Sequence, residues 1–265
     1  MENTKNDLKK AVVGLLEKYA VEVQQQWDLA EEMPCEDSEG CAFVLVPAWR
    51  VRDICPNSTK VVPLFAWRKQ RRFVELKKIV ENRTITPVLM ARFACLAAGD
   101  SLSLSNILYR EFDLLEWITG QSISRMYATS APRAMNAVVR LDDGSIASIE
   151  VATTLPSGTP IEDRHELIAR RGMASDRVVD TQCRQESIYV WLKDRRASFT
   201  DVDNELYGLD EEQVALVRSA YDALSDTESH QQLRRRHEYL TSLVDAAMQS
   251  DRDRRRVVMK GASVA

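Results

Sequence analysis

The sequence predicts an α/β chain in two parts. A small alternating α/β unit comes first, and an α+β domain with a mostly antiparallel open sheet of about six strands follows. Three observations lead there. CAFVLVP (41–47) and KVVPLFAW (60–67) are continuous apolar runs, the pattern of strands covered on both faces. SNILYREFDLLEWITG (105–120) carries Leu104, Leu108, Phe112, Leu115 and Ile118 on one helical stripe, and Gly120 supplies its stop. After Gly120, strand-like runs at 122–129, 135–141, 145–153, 165–171, 176–180 and 187–193 follow without helices between them, which implies antiparallel pairing.

Each element has a local reason. Leu8, Val12, Leu15 and Tyr19 share a helix face, with Asn6 placed to cap it. AVEVQQQWD reads as a strand ending in Asp28. Pro63 makes KVVPLFAW an imperfect run of this kind. A helix over 70–82 carries Phe73, Leu76 and Val80 inward. From Thr86 the character changes, with TPVLMARFACLA as a strand leading into the 105–120 helix. VVRLDDGSIASIEV is a hairpin, with Asp143-Gly144 as the two residues of a tight type I′ turn. DEEQ (210–213) resembles a capping box. It opens a helix with Val214, Val217, Tyr221 and Leu224 on one side. A last helix carries Leu233, His237, Leu240, Val244 and Met248, and RRVVMKG is a closing strand. The expected division is 1–85 and 86–228, with 229–260 packing back on the first part.

Composition excludes several function classes. The 265 residues are 45% hydrophobic and 29% charged with a formal net charge of −4, so no basic balance points to nucleic acid. The arginine clusters 234–236 and 254–256 are flanked by acids and read as solvated helix faces. No apolar run reaches the ~18 residues of a membrane helix. The opening MENTKNDLKK has no apolar signal region. Five cysteines without a CxxC pair suit a reducing cytoplasm. The nine glycines are too dispersed for GxGxxG or GxxxxGK[ST]. HELIA at His165 is not HExxH, because Ala169 stands where a second histidine would be, so no zinc site is expected. No GxSxG elbow exists, and Cys95 and Cys183 read as buried thiols.

The order of parts resembles the glucose–fructose oxidoreductase / inositol dehydrogenase (Gfo/Idh/MocA) family from about Val61 to Lys260. FDLLEWITGQSISRMYAT is similar to the family's xDLLxWLxGxxVxxVxA. AVVRLDDGSIASIEV is similar to its glycine hairpin, FAWRKQRRFVELKKIVENRTITPV to its post-strand arginine segment, and LVDAAMQSDRDRRRVVM to its closing helix and strand. The resemblance implies a reduced Rossmann-like unit followed by the family's α+β domain, whose open sheet makes oligomer contacts. This sequence departs from the family where the chemistry sits. It has no strand–GxGxxG–helix and no Glu-Lys-Pro, Lys60 being the nearest lysine. The helix motif D-x-G-x-H-x-x-D, counted back from Asp113, has Asn106 at the Asp position, Leu108 at the Gly position and Arg110 at the His position. Arginine stays protonated and cannot act as a general base, and Asn106 cannot ionise.

These departures lead to three expectations. The first is a cytoplasmic pseudoenzyme without catalytic residues or a cofactor. It binds or assembles through its sheet, as a homo-oligomer or with a related oxidoreductase, and has no nucleic-acid, membrane or metal partner. The second is an active NAD- or NADP-dependent oxidoreductase on a sugar or cyclitol, with an atypical or partner-supplied cofactor site. The third is a sensor holding a sugar acid at Arg68, Asn106 and Arg110. Against the third stands a plain reading of Arg110 as an exposed helix residue paired with Glu111. Trp67 reads as core or interface. Asp28 matches only the position of the family's ribose-binding acid, and otherwise reads as a surface residue at a strand end.

Overall fold

The computed structural model describes residues 2–30, 40–51, 60–100, 102–177, 188–192, 196–199 and 209–259. The chain divides into two compact units, 1–70 with 202–238 and 71–201 with 239–265.

The first unit is a parallel α/β layer. Helix α1 (Glu2–Lys18) precedes strands β1 (Trp27–Leu29), β2 (Phe43–Pro47) and β3 (Val61–Leu64). The strands lie side by side in chain order, and both pairings are parallel. The continuous apolar run at β2 has the expected cause: it is the middle strand, covered on both faces. Phe43 and Leu45 join Leu8, Val12 and Leu16 of α1 and the apolar side of α4 (Glu211–Ser225), while Val44 and Val46 pack with Ala30, Val51 and Val61. Pro63 sits on an edge strand, where its missing N–H costs no ladder bond. Asp210 and Gln213 form the expected capping box at the start of α4. Leu16 rather than Leu15 completes the buried stripe of α1, and Tyr19 is exposed beside Tyr221.

The second unit is an open sheet covered on one face by α3 (Leu104–Thr119). It begins with α2 (Arg71–Glu81), which turns Phe73, Leu76 and Ile79 inward; Ile79 takes the place expected for Val80. Its strands are β4 (Val88–Ala98), β5 (Ile123–Ala131), β6 (Ala134–Leu141), β7 (Ile146–Leu155), β8 (Glu162–Ala169), β9 (Gly172–Ser175), β10 (Ile188–Leu192), β11 (Arg196–Phe199) and β12 (Val257–Val258). They run in the order β11-β10-β9-β8-β4-β7-β6-β5-β12, so among the described residues the sheet has nine strands where about six were expected. All pairings are antiparallel except β4 with β7. Alternation along β7 buries Ala147, Ile149 and Val151 and leaves Ile146, Ser148 and Glu150 on the open face.

Two local expectations are corrected. The β6–β7 connection is not a two-residue type I′ turn, because Asp143 does not take a positive φ. Gly144 does (φ 90°); its N–H donates to the Leu141 carbonyl, and the Leu141 N–H donates to the Ser145 carbonyl. That is a type I turn closed by a glycine bulge. Arg170-Arg171 turns the chain so tightly that β9 starts at Gly172, not near 176, and the expected strand beyond Arg177 lies outside the described residues.

The domain limits also move. α2 packs on α3 and on β9 and β10, which puts it in the second unit, and α4 packs on α1 and β3, which puts it in the first. The last helix, α5 (His230–Asp253), contributes residues up to Glu238 to the first unit and the rest to the second. The closing segment does not return to the first unit. β12 pairs with β5, Ser250 Oγ accepts the Ala128 N–H at 3.0 Å, and Asp251 accepts the Ser130 N–H at 2.8 Å.

Candidate functional site

The polar residues of α3 lead into the second unit. Ser103 caps the helix: its Oγ accepts the Asn106 N–H at 3.2 Å and donates to the Asn106 side chain. Gly120 ends it in the left-handed conformation, φ 67°. Between these caps the helix is not amphipathic. Asn106, Arg110, Glu111, Asp113 and Glu116 are buried together with its apolar stripe, as befits a central helix. Glu116 accepts the Ile123 N–H at 2.7 Å and the Tyr239 hydroxyl at 2.8 Å.

Arg110 is the centre of a buried ionic cluster, not an exposed residue. It is 3% exposed. One of its terminal nitrogens donates to Asp163 of β8; the other lies 3.2 Å from Glu111 and 3.3 Å from the Cys95 sulfur of β4. Arg72 of α2 donates to both oxygens of Asp163, at 2.8 Å in one bond, and reaches Asp176 at 3.3 Å. Asp176 follows β9. Its Oδ2 faces His165 Nδ1 at 2.6 Å, and its Oδ1 accepts the His165 backbone N–H at 2.7 Å. His165 Nε2 faces Glu111 Oε2 at 2.9 Å. The imidazole packs T-shaped against the rings of Phe73 and Phe93, each with centroids 4.7 Å away.

The protonation state follows from this geometry. Each histidine nitrogen faces a carboxylate oxygen, and an ionised carboxylate only accepts. A ring protonated on both nitrogens satisfies both contacts. Burial by itself opposes that charge, but Asp176 and Glu111 outweigh it and push the His165 pKa up to about 9. Burial also works against the Asp163 carboxylate, yet Arg72 and Arg110 hold it well below the usual range. The Cys95 thiol is pushed up, chiefly by burial, and stays protonated. The cluster is then Arg72, Arg110 and His165 against Glu111, Asp163 and Asp176, three charges against three.

Asp163, His165 and Asp176 bring ligand atoms within 4.8 Å of one another, the spacing of a metal set. Their chemistry differs from one. The histidine has no free lone pair while both nitrogens are protonated, and two guanidiniums occupy the carboxylate oxygens.

The other expected site residues do not join this cluster. Arg68 stacks over Phe65 at 4.6 Å in the turn after β3, beside the buried Trp67. Asp28 lies within β1 instead of at a strand end, and its carboxylate accepts from Lys9 at 3.1 Å. Cys183 lies outside the described residues.

The expected pairing of Arg110 with Glu111 is present, and His165 was weighed only as a zinc ligand; Asp163, Asp176 and Arg72 were not singled out from the sequence. One signal was available. In EDRHELIA, period-two alternation puts Asp163, His165, Leu167 and Ala169 on one face. Ionisable residues at two inward positions of a strand need buried partners.

No family model matches the sequence, and no curated protein matches it. Solved structures match its fold. Levoglucosan dehydrogenase in complex with NADH and L-sorbose aligns over 93% of this chain and 83% of its own, with a TM-score of 0.64 and 13% identity. An oxidoreductase from Agrobacterium radiobacter in complex with NAD+, L-tartaric acid and magnesium aligns over 83% and 81%, with a TM-score of 0.59 and 14% identity. An oxidoreductase from Sinorhizobium meliloti aligns over 82% and 72%, with a TM-score of 0.60 and 11% identity. The resemblance drawn from the sequence motifs is therefore borne out at the level of fold.

Proposed function

We propose that this chain is a non-catalytic relative of the Gfo/Idh/MocA oxidoreductases, working in the cytoplasm as a binding or assembly protein through the open face of its sheet. The observation that carries this reading is Arg110. At the position where the resemblance puts the proton-transferring histidine, a guanidinium that cannot accept a proton is bonded to Asp163 and Glu111 beneath the surface. The first unit adds support. A doubly wound sheet binds dinucleotides in the crevice where its strand order reverses. Among the described residues the order is β1-β2-β3 without reversal.

The open face supplies the proposed interaction surface. Tyr127, Val138 and Ile146 are exposed on it. A shallow depression of about 550 Å³ beside them is lined by Ala94, Leu96, Thr129, Asn136, Glu150 and Ala152, among others. Its occupant is a second copy of this chain or a related oxidoreductase.

Light scattering then finds a defined oligomer, and Tyr127→Glu combined with Val138→Glu dissociates it. A monomer with no co-purifying partner overturns the assembly reading. A second reading, an active NAD(P)-dependent oxidoreductase, draws on the cofactors named for structures of the same fold. Saturation at about 100 times Kd stabilises a protein by ~2.7 kcal/mol. Unchanged melting with millimolar NAD(H) and NADP(H) supports the first reading; a clear upward shift favours the second.

A further inference from the structure

We infer that the buried cluster is a proton-operated latch: one proton on His165 balances three cations against three carboxylates and so fastens α2 to strand β8 and the end of β9. The inference does not depend on the proposed function.

Every element packed around the imidazole contributes to the balance. α2 supplies Arg72 and the ring of Phe73, and α3 supplies Arg110 and Glu111. β4 supplies Cys95 and the ring of Phe93, and β8 supplies Asp163. Asp176 faces the ring from the end of β9. The guanidiniums stay protonated throughout, and the imidazole is the base among these cations whose proton can leave. When its proton leaves, three carboxylates face two cations in a site from which water is excluded, and one ring nitrogen turns a lone pair toward a carboxylate oxygen. An uncompensated buried charge is costly, and the structure can relieve it by letting water in. α2 is the element that this latch releases. It holds the cluster through Arg72, whose side chain is 18% exposed, whereas Glu111 and His165 are wholly buried on α3 and β8.

The sign follows from linkage. The folded-state value of about 9 lies above the ordinary 6.5, so the latch is fully closed below about 6.5 and is lost as pH rises through about 9. Glu111→Gln tests the charge balance directly. With a neutral histidine, two cations then meet two carboxylates, and the glutamine amide can donate to the bare Nε2.

The experiment is hydrogen exchange on the full chain, corrected for the intrinsic pH dependence, with α4 as the reference helix. In the wild type, opening of α2 relative to α4 rises on the order of tenfold to a hundredfold between about pH 7 and about pH 10, and in Glu111→Gln it stays flat. Carbon-13 NMR of labelled histidine places the His165 titration near 9 in the wild type. A flat wild-type α2 profile, or a His165 midpoint at or below 6.5, overturns the proposal. If Glu111→Gln does not fold, the two wild-type measurements decide.

Discussion

Replacing Arg110 with methionine separates a structural arginine from a ligand-holding one. Methionine keeps much of the aliphatic length and removes the guanidinium. Asp163 then keeps Arg72 alone, Glu111 keeps His165 alone, and the cluster is left with two cations against three carboxylates. Removing one partner of a buried ionic set costs about 3–5 kcal/mol, because the remaining charge is stranded away from water. Arg110 belongs at that end of the scale, since it is 3% exposed and both its acidic partners are deeply buried. At about 2–4 °C per kcal/mol for a chain of this size, the melting temperature falls by roughly 6–20 °C. Arg68→Met is the control: Arg68 lies outside the cluster and is only partly buried, so its loss stays within about 1 kcal/mol. Thermal unfolding by circular dichroism measures both. The reasoning fails if Arg110→Met melts like the wild type. It fails more sharply if the wild type is stabilised by a sugar acid such as gluconate and Arg110→Met abolishes that response while keeping its stability, for Arg110 would then be a binding residue.

Further outcomes follow from single contacts. Asp210→Ala removes the oxygen that accepts the Gln213 N–H and breaks the capping box of α4, costing about 1 kcal/mol in urea unfolding. Gly120→Ala forces a Cβ onto a left-handed residue and costs about 1 kcal/mol by the same measurement. His230 packs edge-on against Phe43 and donates from Nε2 to the Ala223 carbonyl at 2.8 Å; burial chiefly lowers its pKa. The folded protein therefore resists protonating it, and the first unit loses stability as pH falls below the ordinary value of 6.5, seen as earlier melting at pH 5 than at pH 7. His230→Gln flattens that dependence.

Much of the architecture was legible in local patterns because local physics governs it. The apolar run at 43–47 announced a strand buried on both faces, and β2 is the middle of a parallel sheet. Gly120 and the Asp210–Gln213 box marked helix ends because only particular residues satisfy a helix's orphan groups. Errors arose where a neighbour decided the outcome. α2 looks like the end of the first unit in sequence, but its Phe73 and Arg72 find their partners on β8 and β9. The RR turn before β9 carries no glycine or asparagine signal. The closing segment is held by Ser250 and Asp251 on β5, contacts that span more than a hundred residues of chain.

The sequence by itself determined most of the kinds of element and their order, and it carries no glycine-rich phosphate loop. Helix and strand periodicity, caps and side-chain chemistry act over a few residues, so they can be read along the chain. Only the tertiary structure decided what Arg110 does. Glu111 is its neighbour in sequence, but Asp163 lies 53 residues away, and His165 stands 54 residues from Glu111. Folding brings these charges together where water is excluded, and there each one's protonation depends on all the others.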